Sequence, residues 1–147
     1  MQLVFDHIGV AVPTLAEGRQ HLATLLFVTE WTAEFDDPVN RVSVQFGRDR
    51  SGICYEAIAP FGENSPILLA LQKGQRVLNH VAYLVDDLEA QAARLRDGGC
   101  IAAGPANPAI AYGGSRIQFF VSPLRFTIEL IEAPRHAHVY RASAGWR

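Results

Sequence analysis

Cysteine is scarce in this chain: Cys54 and Cys100 are the two among 147 residues, far apart and without C-x-x-C spacing. That excludes a disulfide framework and a thiolate-held zinc or iron–sulfur site, and it fits reduced, buried thiols in a cytoplasmic protein. An excess of one charge sign is also lacking. Thirteen Lys and Arg stand against fifteen Asp and Glu, a formal net charge of −2, so no broad positive field exists to hold nucleic acid or an anionic membrane surface. No apolar run approaches the length of a membrane span. The apolar N-terminus carries Asp6 and His7, with neither a basic leader nor a small-residue cleavage pattern, and is not expected to be a secretory signal. With 49% hydrophobic and 19% charged residues, the chain can bury one good core but hardly two. A single domain over 1–147 is expected.

What the chain does have is an internal repeat. FDHIGVAVPTL (5–15) aligns with LNHVAYLVDDL (78–88), placing His80 73 residues after His7 (80 less 7). CYEAIAP (54–60) aligns with TIELIEA (127–133) at the same offset, placing Glu129 over Glu56. RVSVQF (41–46) resembles RIQFFV (116–121) at an offset of 75, which predicts small insertions absorbed in loops. Residues 3–12 read as a strand, and Thr14-Leu15-Ala16-Glu17 as a capping box opening a helix. Leu15, Leu22, Leu25 and Leu26 are expected on one helical face, as are Leu88, Ala92 and Leu95 in the second copy, which stops at Gly98-Gly99. Gly18 should weaken the first helix. Short strands are predicted over 28–34, 41–47 and 52–59, then over 100–103, 116–121 and 125–132. The unit is βαβββ, used twice: a first module over 1–63, a linking helix over 64–74 with Ser65 as cap, Pro66 at its start and Gly74 past its end, a second module over 75–134, and a tail over 135–147. The tail has no period, and is expected to be mobile or to pack on a partner subunit. His136 and His138 are read as solvated within it.

Strand side chains alternate, so His7 shares a face with Phe5, Gly9 and Ala11, and His80 with Ala82 and Leu84. The small residue two positions beyond each histidine is expected to leave room above the sheet for a substrate carbonyl. A lone histidine in an apolar strand is ordinarily a hydrogen-bonded core residue, and a lone glutamate an edge group. Four such residues related by one offset are a different matter, because buried carboxylates cost several kcal/mol each without a compensating charge. His7, Glu56, His80 and Glu129 are therefore candidate ligands of one divalent cation, with Zn, Ni, Co, Mn or Fe compatible with two imidazoles and two carboxylates.

The paired βαβββ units with these four positions resemble the vicinal oxygen chelate superfamily, which includes glyoxalase I, methylmalonyl-CoA epimerase, extradiol dioxygenases and fosfomycin or bleomycin resistance proteins. The likeness spans about residues 3–134. FDHIGVAV, APFGENSP (59–66), LNHVAYLVDDLEA (78–90), GGSRIQFFVSP (113–123) and IEL (128–130) are similar in order and spacing to methylmalonyl-CoA epimerase segments. The resemblance implies an α+β fold of two βαβββ modules forming a half-open barrel around a metal site, and an enzyme that removes a proton next to a carbonyl. Glu129 is then the first candidate for the base and Glu56 for its counterpart on the opposite face. Ser43, Gln45, Gln118 and Ser115 are candidate substrate contacts, and Arg41, Arg48, Arg50, Arg76 and Arg116 could meet coenzyme A phosphates. The implied substrate is a small molecule, an acyl-CoA or a glutathione adduct, and the implied assembly is a homodimer. Epimerases usually carry glutamine at the second ligand position, whereas His-Glu-His-Glu looks more like glyoxalase I, a lactoylglutathione lyase. A metal-free antibiotic-binding protein is the third reading; such binders typically lack the tetrad.

Overall fold

A computed structural model describes residues 2–73 and 78–142, apart from the side chains of Leu78 and Asn79. The first copy comprises β1 (Leu3–Ala11), α1 (Leu15–Leu26), β2 (Glu30–Trp31), β3 (Phe35–Asp37), β4 (Val42–Arg48) and β5 (Cys54–Pro60). Helix α2 (Pro66–Gln72) precedes the second copy. That copy comprises β6 (Leu78–Val85), α3 (Leu88–Asp97), β7 (Ile101–Ala102), β8 (Asn107–Pro108), a 3₁₀ turn at Ile110–Tyr112, β9 (Arg116–Val121) and β10 (Thr127–Glu132). The tail adds β11 (Arg141–Ala142). Gly74 and Arg76 lie outside the described residues.

The strands form one mixed sheet in the order β11-β2-β4-β5-β1-β6-β10-β9-β7, with β3 added on β4 and β8 on β9. It is open rather than a closed barrel, and with its few helices it has the expected α+β character. Each copy contributes the same run: β1 is parallel to β5 and β6 to β10, and the copies meet where β1 pairs antiparallel with β6. The sheet therefore carries an approximate twofold relation through the β1–β6 seam.

Local chemistry sets the helices. Thr14 Oγ1 accepts the Glu17 N–H at 3.1 Å and opens α1, which ends at Phe27 with φ 56°. Asp87 caps α3 in the same way, accepting from the Ala90 N–H at 2.9 Å. The buried stripe of α1 runs through Leu15, Gly18, Leu22 and Ala23, whereas Leu25 and Leu26, expected on it, are 70% and 45% exposed. They occupy the last turn, after which the chain swings away at Phe27. Gly18 has a packing reason: a Cβ there would lie 2.9 Å from Val12 Cγ1, so glycine lets the helix sit close on the sheet.

The cores repeat as the chain does. Val12, Leu15, Leu22 and Ala57 pack together on the helix side of the first copy, and Val85, Leu88, Leu95 and Leu130, each 73 residues later, do so in the second. On the other face Val44 and Ile58 are matched by Ile117 and Ile131. This register corrects one expectation. Phe46 pairs with Glu56 and Phe119 with Glu129, so β4 and β9 also correspond at 73 rather than 75 (119 less 46).

Candidate metal centre

Two rows of cross-strand neighbours build the centre. One runs Phe46, Glu56, Gly9, His80 across β4, β5, β1 and β6. The other runs Phe119, Glu129, Ala82, His7 across β9, β10, β6 and β1. Side chains opposite one another in paired strands share a face, so each row delivers a carboxylate from one copy and an imidazole from the other to the same side. The rows match closely in their packing: the His7 and Phe46 ring centroids are 5.2 Å apart at 77°, and those of His80 and Phe119 are 5.2 Å apart at 79°.

All four expected ligands converge. His7 Nε2 lies 2.9 Å from His80 Nε2 and 3.3 Å from Glu129 Oε2. His80 Nε2 lies 3.0 Å from Glu129 Oε2 and 3.3 Å from Glu56 Oε1. The donor atoms all fall within 4.8 Å of one another. His7 is fully buried, and His80, Glu56 and Glu129 are 2%, 5% and 2% exposed. Glu129 Oε2 is enclosed and, beyond its contacts with the two imidazoles, accepts no hydrogen bond among the described residues, which is costly for a carboxylate oxygen. Two inward imidazole nitrogens, two carboxylates and an unsatisfied carboxylate oxygen are a donor set that fits a borderline divalent cation. Without one, the pairs lean on each other. Burial opposes ionisation of Glu56, but the neighbouring His7 charge and bonds from both histidines outweigh it and hold the carboxyl at about 2. Burial likewise opposes charging of His7, and the Glu56 charge and the bond to Asp6 override it, raising its pKa.

Gly9 serves a purpose other than the expected one. A Cβ on it would lie 2.0 Å from His80 Cε1, so the space it leaves is filled by the imidazole itself rather than held for substrate.

Asp6 is the principal residue that sequence reasoning missed. Strict alternation would turn it away from His7, but Phe5 and His7 pair with the consecutive residues Tyr83 and Ala82. Asp6 is thus the extra residue of a β-bulge, which re-aims a side chain locally. It is buried and bonds to His7 Nδ1 at 2.8 Å and to the Tyr112 hydroxyl at 2.5 Å. As a carboxylate it accepts the Nδ1 proton, so that in the neutral ring Nε2 would face the centre as the ligating nitrogen. Although burial would raise the Asp6 pKa, bonds from His136 and His7 hold it below the usual carboxylate range. Its matched position is Asn79, the extra residue of a second bulge on β6, where Gly9 and Val10 pair with His80 and Leu78.

A cavity of about 430 Å³ opens onto the centre, with Glu56 and Glu129 in its lining. Val44, Ile58, Ile117 and Phe119 give it apolar walls, and Asn40 and Arg41 also line it. The other expected substrate contacts are not among the lining residues. Ser43 and Gln45 pair with Ala59 and Ala57, and Gln118 with Leu130, on the face opposite Glu56 and Glu129. Ser43 Oγ donates to Asp36, Gln45 bonds to Arg19 and the Thr32 carbonyl, and Gln118 donates to the Gly104 carbonyl. Ser115 lies in the turn before β9, its N–H on the Tyr112 carbonyl. Arg48 pairs with Glu30, Arg116 with Glu89 and Glu132, and Arg50 stacks over Phe27.

The tail departs from its expected solvated state. β11 pairs with β2, His136 bonds to Asp6, and His138 stacks on Phe46 with centroids 3.8 Å apart. Both cysteines are free, Cys54 buried and Cys100 half-buried. No helix among the described residues is long and apolar enough to cross a membrane.

Comparison with known proteins places these features in context. The family model described as glyoxalase/bleomycin resistance protein/dioxygenase superfamily matches residues 6–119. An ethylmalonyl-CoA/methylmalonyl-CoA epimerase of Cereibacter sphaeroides is 33% identical over 129 residues, covering 86% of this chain and 93% of that protein. The crystal structure of a methylmalonyl-CoA epimerase from Mycobacterium tuberculosis superposes with a TM-score of 0.71 at 27% identity, covering 89% of each chain. A hypothetical protein from Bacillus halodurans shares the fold, with a TM-score of 0.76 at 22% identity over 93% of this chain and 99% of that one.

Proposed function

Because the chain belongs to the glyoxalase/bleomycin resistance protein/dioxygenase superfamily, we propose that it is a metal-dependent epimerase that moves a proton on the carbon next to an acyl-CoA carbonyl. The observation that carries this reading is the unsatisfied Glu129 carboxylate beside two imidazoles at a cavity whose lining also includes Glu56. His7, Glu56, His80 and Glu129 would hold the cation, and a cation there supplies positive charge that stabilises a developing oxyanion on the substrate carbonyl.

The chain's own groups then divide the work. Glu129, on the cavity lining, takes the α-proton. Glu56, related to it through the seam, delivers a proton from the other face, which inversion at carbon requires. Val44, Ile58, Ile117 and Phe119 keep water from the carbanionic carbon. Arg41, on the cavity lining and with no ion pair among the described residues, is the candidate contact for coenzyme A phosphates. A malonyl-type acyl group is supported by the names of the epimerases that this chain resembles.

A second reading, a glyoxalase I-type lyase acting on a glutathione adduct, is favoured by Glu56 standing where epimerases usually have glutamine. A metal-free binding protein is disfavoured by the cost of burying the tetrad without a cation. A cytoplasmic homodimer belongs to the same proposal. The test is deuterium entry from solvent at the α carbon of methylmalonyl-CoA, run beside loss of the methylglyoxal–glutathione adduct, with metal-loaded and chelated protein. Exchange that needs metal supports the epimerase; turnover of the adduct alone replaces it with the lyase. Activity on neither, with no bound metal, refutes the enzyme reading.

A further inference from the structure

The segment after β10 crosses the first copy and bonds to the outer side of the centre as it goes. Leaving β10 at Glu132, it ends in β11, which pairs with β2 near the far edge of the sheet. His136 Nδ1 meets Asp6 Oδ1 at 2.5 Å on β1. His138 stacks on Phe46 of β4, the ring that also packs against His7. His136 Nε2 bonds to the Tyr140 hydroxyl at 3.0 Å, and that hydroxyl meets Cys54 Sγ of β5 at 2.7 Å. Arg48 covers the Tyr140 ring at 4.6 Å.

The polarity at the inner end of this chain follows from Asp6. Asp6, ionised, can only accept, so His136 Nδ1 donates to it. On its other side His136 Nε2 shares a bond with the Tyr140 hydroxyl, which in turn shares one with Cys54 Sγ. At the other carboxylate oxygen, Oδ2, Asp6 accepts the His7 Nδ1 proton. Cys54, Tyr140, His136, Asp6 and His7 are therefore linked in one continuous chain of bonds in which two imidazoles, His136 and His7, converge on the Asp6 carboxylate. Asp6, His136 and His138 also bring donor atoms within 4.8 Å of one another, so the metal stoichiometry decides whether His136 holds Asp6 or ligates a second cation.

We infer that the C-terminal segment 133–142 is a strap whose His136 and Tyr140 are positioning residues for the metal ligand His7, acting through Asp6. The inference rests on the reading of the tetrad as a metal site. It has a physical basis in the effect of outer groups: the partner of a ligating histidine fixes its tautomer and ring orientation, and losing such a partner typically costs roughly 10–100-fold in metal affinity. His136 acts one bond further out, so its loss should cost somewhat less, about tenfold.

The test uses the full-length protein, with Zn²⁺ affinity measured by chelator competition and the visible spectrum recorded on the Co²⁺ form. Wild type should bind one equivalent. His136→Ala should bind about tenfold more weakly and alter the Co²⁺ bands. His136→Asn, whose amide N–H can donate from nearly the same place as Nδ1, should restore most of the affinity, and Tyr140→Phe should fall between. A strap that only stabilised the fold would lower the metal-free melting temperature of His136→Ala and leave affinity and spectrum unchanged, which would overturn the inference. A second equivalent in wild type that His136→Ala loses would overturn it too, by making His136 a ligand. If wild type binds no metal, the centre itself is misread and the strap has no ligand to position; that failure is separate, since it shows before any variant is compared. Should His136→Ala not fold, His136→Asn and Tyr140→Phe carry the test alone: equal affinity of Tyr140→Phe and wild type would refute it.

Discussion

Adding one methyl group at Gly9 should damage the centre more than removing a much larger side chain elsewhere in the sheet. The alanine Cβ would sit 2.0 Å from His80 Cε1 and 2.3 Å from Nδ1, well inside the roughly 3.5–4 Å at which carbon atoms rest in contact. Two relaxations are available. The imidazole can rotate out, which removes one of four donors from the centre while sparing the seam; or β1 and β6 can part, at an overpacking cost of about 1–3 kcal/mol. Because outer-shell changes alone cost roughly 10–100-fold in metal affinity, displacement of a ligand should cost about 100-fold or more, equivalent to about 2.7 kcal/mol. The assay pairs Zn²⁺ affinity by chelator competition with urea unfolding of the metal-free protein. Gly9→Ala should lose affinity, stability or both, in the proportion that the two relaxations share. Wild-type values of both would refute the register that places His80 over Gly9.

Other outcomes follow from the same geometry. Glu129→Gln should reduce α-proton exchange by about 10²–10⁴ with circular dichroism unchanged; retained exchange would place the base elsewhere. Saturating metal at 100 times its Kd should stabilise the protein by about 2.7 kcal/mol, seen as a rise in melting temperature that His80→Ala abolishes; an equal rise in that variant would mean that the cation binds elsewhere. Burial pushes the Cys54 thiol from 9.0 up to about 12, so the unfolded chain loses this proton first. Stability should therefore fall as pH rises from about 9, with Cys54 adding up to about 1.4 kcal/mol per pH unit; Tyr112 and Tyr140, also raised chiefly by burial, act in the same sense. Cys54→Ala should flatten part of that slope, and an unchanged slope would contradict the assignment. In the native protein at pH 8 Cys54 should resist iodoacetamide until denaturant is added, as mass spectrometry of the alkylated peptide would report.

The tetrad was legible because one offset governs the whole sheet. His7 and His80, and Glu56 and Glu129, fall at equivalent places in paired strands, and the pattern survives even in β4 and β9, where Phe46 and Phe119 extend it. Asp6 was hidden by the bulge: period-two alternation assigns it the wrong face, and only the pairing of Phe5 and His7 with consecutive residues of β6 turns it inward. Ser43, Gln45 and Gln118 were singled out for polarity on a strand face, but which face of β4 or β9 meets the carboxylates depends on long-range register with β5 and β10. The docking of the tail, whose histidines read as solvated in the sequence, was hidden for another reason. Its contacts are single side chains, His136, His138 and Tyr140, each reaching a different strand, and such an arrangement leaves no periodic trace.

Each row of the sheet takes its imidazole from one copy and its carboxylate from the other, and this orders events during folding. His7 and His80 are 73 positions apart, so the donors cannot gather until the chain has closed that long loop and zipped β1 onto β6. Uptake of the proposed cation would then be a late step, following closure of the seam. Isolated copies made as separate polypeptides would each retain one histidine and one glutamate, and would form a complete centre only by finding each other.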